Sequence, residues 1–201
     1  MFSPGAASAE LVSDAIDAAK PEGPAVVVAI DGPSGAGKSA LTGELALLRG
    51  DVAIVEGDDF YRPLNESTRA ALTPIEAVDL LFDWERLRDE VLAPLLRGED
   101  ARYRRYDWTA ERLGEDVATV AAQGVVVVEG CYVARPALRG YYDLIVVVDA
   151  PRELCLARQL ARGEDEPEQI ERWRAAEDWY FERQDPRRVA ALVVDGRAGA
   201  E

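Results

Sequence analysis

The 201 residues suffice for one domain with a full hydrophobic core, or for one domain with a small insertion. With 48% apolar and 30% charged residues the composition is that of a globular protein, and no apolar stretch approaches the length that spans a bilayer. The net charge of −15 at pH 7 excludes nucleic acid and anionic membrane surfaces as expected partners, because both reward clustered Lys and Arg.

The opening stretch MFSPGAASAELVSDA has neither a basic region nor a long apolar run, so no signal peptide and a cytoplasmic location are expected. Residues 1–24 are expected to form an N-terminal helix or arm, its first eight residues loosely held. Five β-prone runs follow: AVVVAI (25–30), DVAIV (51–55), VVVVE (125–129), LIVVVD (144–149) and AALVVD (190–195). They are continuous rather than alternating, as suits strands buried on both faces of a parallel sheet. Helical patterns lie between them. SALTGELALLRG follows the first run and ends at Gly50, placed to cap it. Thr73-Pro74-x-Glu76 has capping-box spacing with Pro at the first helical position. Asp83 is placed to cap WERLRDEVLAPLLRG, which stops at Gly98. PRELCLARQLARG and PEQIERWRAAEDWYFERQ supply two further helices, and RGEDEPEQ (162–169) between them has the composition of a mobile loop. Strands alternating with helices predict a single α/β domain over residues 25–196, with a loose tail at 197–201. Cys131 and Cys155 stand far apart in a chain with no histidine to complete a zinc site, so both are expected as buried free thiols.

Residues 32–39, GPSGAGKS, match G-x-x-x-x-G-K-[ST] in full, after an apolar strand and before a helix, which is the context the motif needs. The glycines let the backbone curl and turn its N–H groups inward, and the following helix adds the positive end of its dipole. Gly32, Pro33, Ser34, Gly35, Ala36, Gly37, Lys38, Ser39 and Ala40 are therefore expected to hold the phosphates of ATP. Lys38 would reach the β- and γ-phosphates as a compact charge, and Ser39 would offer its hydroxyl to Mg2+. Of 23 basic residues only Lys20 and Lys38 are lysines. The planar fork of arginine does not substitute for an ammonium in such a loop.

Guanine-reading N-K-x-D is excluded, since no Asn-Lys occurs, and the L-S-G-G-Q of transporter ATPases is also missing. One compact domain with extra helices points to a small-molecule kinase. EGDDFY (56–61) leaves the second strand at the end where ligands gather in such sheets, so Asp58 or Asp59 is placed to take the proton of an attacking hydroxyl. Glu129 leaves the third run at the same end and would hold the metal directly or through water.

GPSGAGKS, DDFY, FDWERL (82–87), RYRRYDW (102–108), VVEG (127–130) and LIVVVDAP (144–151) together resemble the uridine kinase-like family of P-loop kinases, related to phosphoribulokinase and pantothenate kinase. The resemblance implies a P-loop NTPase fold, with a five-stranded parallel sheet flanked by helices and a helical lid. It implies transfer of the γ-phosphate of ATP, with Mg2+, to a hydroxyl of a small molecule, most simply a nucleoside or nucleoside-like compound. By the same resemblance Asp58 is the general base, Tyr61 and Tyr106 line the acceptor pocket, Glu129 is the magnesium carboxylate, and Arg158 and Arg162 are lid arginines. A surface pairing of these arginines with Glu153 or Asp165 is the bland alternative. Trp173, Trp179, Tyr180 and Phe181 read as packing. The family's base-reading histidine falls near Glu111 here, an exchange of donor for acceptor, so the acceptor is not expected to be read as uracil is. Asp107 is a further candidate for holding it. A kinase for another metabolite alcohol, pantothenate- or sugar-like, and a non-catalytic ATP-binding regulator are the alternatives. The stretch between DDFY and YDW is short and reads as helix over 75–97 where the family builds a hairpin, so a monomer or homodimer is expected.

Overall fold

A computed structural model describes residues 4–163 and 166–199. The chain runs α1 (Pro4–Ala18), β1 (Ala25–Asp31), α2 (Lys38–Arg49), β2 (Val52–Glu56), α3 (Glu66–Ala71), α4 (Pro74–Leu80), α5 (Trp84–Leu87), α6 (Ala93–Leu96), β3 (Ala101–Asp107), β4 (Arg112–Val120), β5 (Gly124–Gly130), β6 (Leu144–Asp149), α7 (Arg152–Arg162), α8 (Pro167–Arg183) and β7 (Leu192–Asp195). The five expected strands form one sheet in the order β2-β5-β1-β6-β7, and every neighbouring pair is parallel. The P-loop strand β1 is therefore central. The strand carrying Glu129 lies beside it, and β2 lies one strand further out. In register, Ile30 faces Glu129 and Glu129 faces Glu56, so the three carboxyl ends open onto one edge.

Both faces of the three central strands β5, β1 and β6 are covered, which explains their unbroken apolar runs, while the edge strands β2 and β7 leave Ile54 and Val193 exposed. Val28, Ile30, Val125, Val127, Val146 and Val148 pack toward α1, α2 and α7. Val27, Ala29, Val126 and Val128 face the opposite way, toward α4–α6 and α8. The helix ends behave as their sequences dictate. Gly50 caps α2 in the left-handed conformation, Thr73 and Glu76 form the reciprocal capping box of α4, and Asp83 accepts from the Arg86 N–H. Between α5 and α6 the helix widens into a π turn at Arg88–Leu92. Pro94 follows directly, and a proline there has no N–H to give to the carbonyl four residues back.

Two expectations change. Residues from Pro4 onward are helical rather than loose, because Ala9, Val12 and Ile16 bury one face of α1 in the core. Most of 75–97 is helical as expected, but the helices do not replace the hairpin: β3 and β4 form an antiparallel one after them, with a register shift between Arg104 and Tyr106. RYRRYDW runs along β3, and the expectation of a monomer or homodimer loses the ground it stood on. Among the described residues no helix is long and apolar enough to cross a membrane.

Candidate active site

Asp31 ends β1 and is fully buried. Its carboxylate accepts from the Gly32 N–H at 2.6 Å, the Ala134 N–H at 2.8 Å and the Tyr180 hydroxyl at 2.6 Å, fixing where the loop departs from the sheet. Burial pushes its pKa up to about 6 despite these donors. Loop residues 32–37 then turn into α2. Gly35 and Gly37 have φ of +82° and +105°, and a Cβ on Gly35 would lie 2.5 Å from the Cys155 carbonyl oxygen of α7. No other residue type fits there without strain.

Lys38 opens α2, buried, and donates to the Gly32 and Pro33 carbonyls at 2.9 and 3.2 Å. Burial works against its charge, but Cys131, Glu129, Glu177 and Asp31 around it hold the ammonium above its ordinary pKa. Beside it the Ser39 hydroxyl donates to Glu129 at 2.9 Å. Burial raises the Glu129 carboxyl, while Lys38 and Ser39 oppose the shift. One hydroxyl and one carboxylate are hard oxygen donors suited to Mg2+, which takes few protein ligands and fills its shell with water and phosphate oxygens. No cluster of three or more His, Cys, Asp or Glu side chains that could hold a metal occurs among the described residues.

A cavity of about 1520 Å3 runs from this loop across the carboxyl edge of the sheet. It brings together Lys38, Ser39, Asp58, Tyr61, Glu111, Glu129, Arg158 and Arg162 from the expected site, with Ser34, Gly35, Gly37 and Ala40 of the loop. Gly32, Pro33 and Ala36 shape the loop from behind. The turn after β2 separates its two aspartates: Asp58 is exposed and lines the cavity, whereas Asp59 is buried. Tyr103 donates to Asp59 at 3.3 Å and Arg105 lies 3.4 Å away, while burial raises the Asp59 pKa to about 6. Asp59 therefore ties the turn to the hairpin.

The opposite wall is aromatic. Tyr61 packs against Trp108 with ring centroids 4.7 Å apart and meets Trp173 edge-on at 5.8 Å. Tyr106 does not line the cavity as expected: it is buried behind this pair, 6.3 Å from Tyr61 and 5.0 Å from Trp108. Trp173 packs against the core as expected and also lines the cavity, while Tyr180 and Phe181 are core. Asp107 also lies off the cavity lining. Its carboxylate accepts from the Thr109 and Ala110 N–H groups, both at 2.9 Å, and so builds the hairpin turn. Glu111, with a left-handed φ of 51°, forms an ion pair with the buried side chain of Arg69. It thus presents an acceptor and a donor side by side.

Arg158 donates to the Gly35 and Gly196 carbonyls, both at 3.0 Å, so it braces the loop and the end of β7. Asp165, one surface partner weighed for the arginines, lies outside the described residues. Cys155 is buried as expected; Cys131 is only half-buried and lines the cavity.

Sequence reasoning passed over Asp31, Gln159 and Glu177. Asp31 is the one charge in a β1 otherwise apolar, a signal that stood in plain view. Gln159 donates to the Ser34 carbonyl at 2.6 Å, and Glu177 accepts from both the Ser34 N–H, at 3.2 Å, and the Ser34 hydroxyl. Ile170, Trp173, Glu177 and Tyr180 recur at helical spacing, so an acid on that buried stripe of α8 stands out only once the helix is phased.

Comparison with known proteins follows the same lines. The model of the phosphoribulokinase / uridine kinase family matches residues 27–169. The uridine kinase of Aliivibrio salmonicida is 29% identical over 153 residues, covering 70% of this chain and 69% of the relative. The inorganic pyrophosphatase TTM2 of Arabidopsis thaliana is 30% identical over 155 residues, 72% of this chain but 21% of that much longer protein. Among solved structures, a possible uridine kinase from Bacillus stearothermophilus superposes with a TM-score of 0.72 over 94% of this chain and 97% of its own, at 23% identity, a likeness of fold.

Proposed function

The chain belongs to the phosphoribulokinase / uridine kinase family and is a small-molecule kinase; from that premise we propose that it moves the γ-phosphate of ATP to a hydroxyl of a nucleoside or nucleoside-like compound, with Mg2+. The observation that carries this reading is one cavity lined by the loop and Lys38 at one end and by Asp58 beneath an aromatic wall at the other. A planar acceptor seated on Tyr61, Trp108 and Trp173 sets its hydroxyl between Asp58 and the donor. Asp58 accepts the proton as the oxygen attacks. Lys38 and the loop N–H groups stabilise the charge that spreads over the transferred phosphoryl and its leaving oxygen. Ser39 and Glu129 are the residues that would hold Mg2+, which neutralises phosphate charge when bound. Arg158 and Arg162 face the same space and add positive charge. Catalysis in this reading is positioning and electrostatics, with little covalent work for the protein.

The Glu111–Arg69 pair favours a second acceptor class. Glu111 sets a charged acceptor where the family places a histidine, which suits an amine or several hydroxyls, so a non-uracil acceptor or another metabolite alcohol is the alternative. The test is ADP release from Mg-ATP against uridine, cytidine, deoxynucleosides, pantothenate and common sugars, with Asp58→Asn alongside. Stimulation by one acceptor, reduced at least about a hundredfold in kcat by Asp58→Asn with ATP affinity kept, is the expected result. A variant as active as the wild type removes Asp58 from the chemistry. A wild type that binds ATP without any stimulated release favours a regulator.

A further inference from the structure

All the polar groups of Ser34 are held by the helical hairpin α7–α8. Its N–H and hydroxyl both donate to Glu177 of α8, and its carbonyl accepts from Gln159 of α7 at 2.6 Å. The next carbonyl, Gly35, accepts from Arg158 of α7 at 3.0 Å, and the Gly35 backbone lies directly against Cys155 of the same helix. Glu177 and Gln159 are themselves buried, at 3% and 7% exposure, at the margin of the cavity, so little water reaches them as an alternative partner. A buried carboxylate among few donors sits where it does only if its hydrogen bonds are made.

Loop residues 34 and 35 are thus oriented by side chains that travel with α7 and α8. We infer that Glu177 and Gln159 are positioning residues that set the Ser34 peptide and so couple the nucleotide affinity of the loop to the placement of the α7–α8 hairpin. The two contacts act through one residue from two helices. Loss of either frees the Ser34 peptide to rotate, and the loop N–H groups then no longer converge on a phosphate. Linkage makes the coupling reciprocal: a nucleotide that fixes the loop also fixes the hairpin that carries Arg158 and Arg162.

This inference rests on the nucleotide-binding part of the proposed function, and the test separates the two. Binding of a fluorescent ATP analogue is titrated into the wild type, Glu177→Ala, Glu177→Gln, Gln159→Ala and the double variant Glu177→Ala/Gln159→Ala. Measurements are made well below each melting temperature. Each alanine variant is expected to weaken binding about tenfold or more, Glu177→Ala by losing two hydrogen bonds to Ser34 and Gln159→Ala by losing one. The double variant is expected to lose little beyond either single one. Glu177→Gln keeps an oxygen for the Ser34 N–H and is expected to recover most of the affinity. In turnover the KM for ATP rises while the KM for the acceptor stays unchanged, a split that general loosening of the fold does not produce. Should Glu177→Ala not fold, Glu177→Gln and Gln159→Ala still decide. Wild-type affinity in both alanine variants overturns the inference, and so does a double variant whose loss is the product of the singles. Failure of the wild type to bind the analogue strikes instead at the proposed function.

Discussion

At the scale of single residues the site is dominated by carboxylates that differ in burial rather than in type. Asp31 is fully buried with a pKa near 6, against about 3.9 for an unfolded aspartate. Below about pH 4 it is protonated in both states and carries no penalty. As pH rises from 4 to 6 the unfolded state releases this proton first, so stability falls through that window. A shift of this size amounts to about 2–3 kcal/mol. Asp31→Asn cannot ionise, and its unfolding free energy is expected to lack that decline, whatever its absolute stability. Urea unfolding of the nucleotide-free protein between pH 4 and 7 measures the difference in slope, and equal slopes in both proteins would show that Asp31 titrates normally. The same contrast of burial separates Asp58 from Asp59. Adjacent letters in DDFY carry no such distinction, which is why the turn could be read as catalytic while the choice between its aspartates needed the family pattern.

At the scale of elements the turn bearing Asp58 is held by a side chain from α5. Arg86 donates to the Asp59 carbonyl at 3.0 Å and to the Arg104 carbonyl of β3 at 2.6 Å, and lies over the Phe60 ring at 4.7 Å. One guanidinium therefore joins α5, the turn and the hairpin. Arg86→Ala leaves two carbonyls to find other partners and is expected to cost about 2–3 kcal/mol of stability. It is also expected to lower kcat by about tenfold or more, because Asp58, the base proposed above, loses its alignment when displaced by an ångström, while KM for ATP changes less than about twofold. Unchanged kcat in a folded Arg86→Ala protein would show that the turn holds its shape alone. This clamp exists only because of the hairpin, the element the sequence hid. Its strands alternate Arg and Tyr, then Glu, Asp and small residues, so no apolar run announces them. The five sheet strands were legible for the opposite reason: the central three are covered on both faces, and continuous Val-rich runs suit such strands. Helix starts were legible where a capping residue and its partner stand three apart, as at Thr73 and Glu76.

At the scale of the whole molecule, topology decides which signals converge. The order β2-β5-β1-β6-β7 sets the P-loop at the centre and the carboxylates of β2 and β5 on one side of it, so motifs from residues 32, 58 and 129 meet in one cavity. Residues such as Gln159 and Glu177 reach the loop only through tertiary packing of α7 and α8, and no spacing rule in the chain places them there. The same assembly concentrates charge. A net −15 on 201 residues repels itself, and the compact state bears that repulsion more than the extended one. Added salt screens it: the Debye length shortens from about 30 Å at 0.01 M to about 10 Å at 0.1 M. Exposed ion pairs, whether local, as in Arg97–Glu99 and Arg197–Asp195, or between distant residues, as in Arg152–Asp178 and Arg187–Asp149, each contribute little that salt could remove. The melting temperature is therefore expected to rise by several degrees as NaCl goes from about 0.01 to about 0.2 M. Nucleotide affinity is expected to move the opposite way, because it depends on Lys38 and the loop N–H groups attracting phosphate. A melting temperature that falls over this range would mean that attractive pairs outweigh the net charge in holding the fold together.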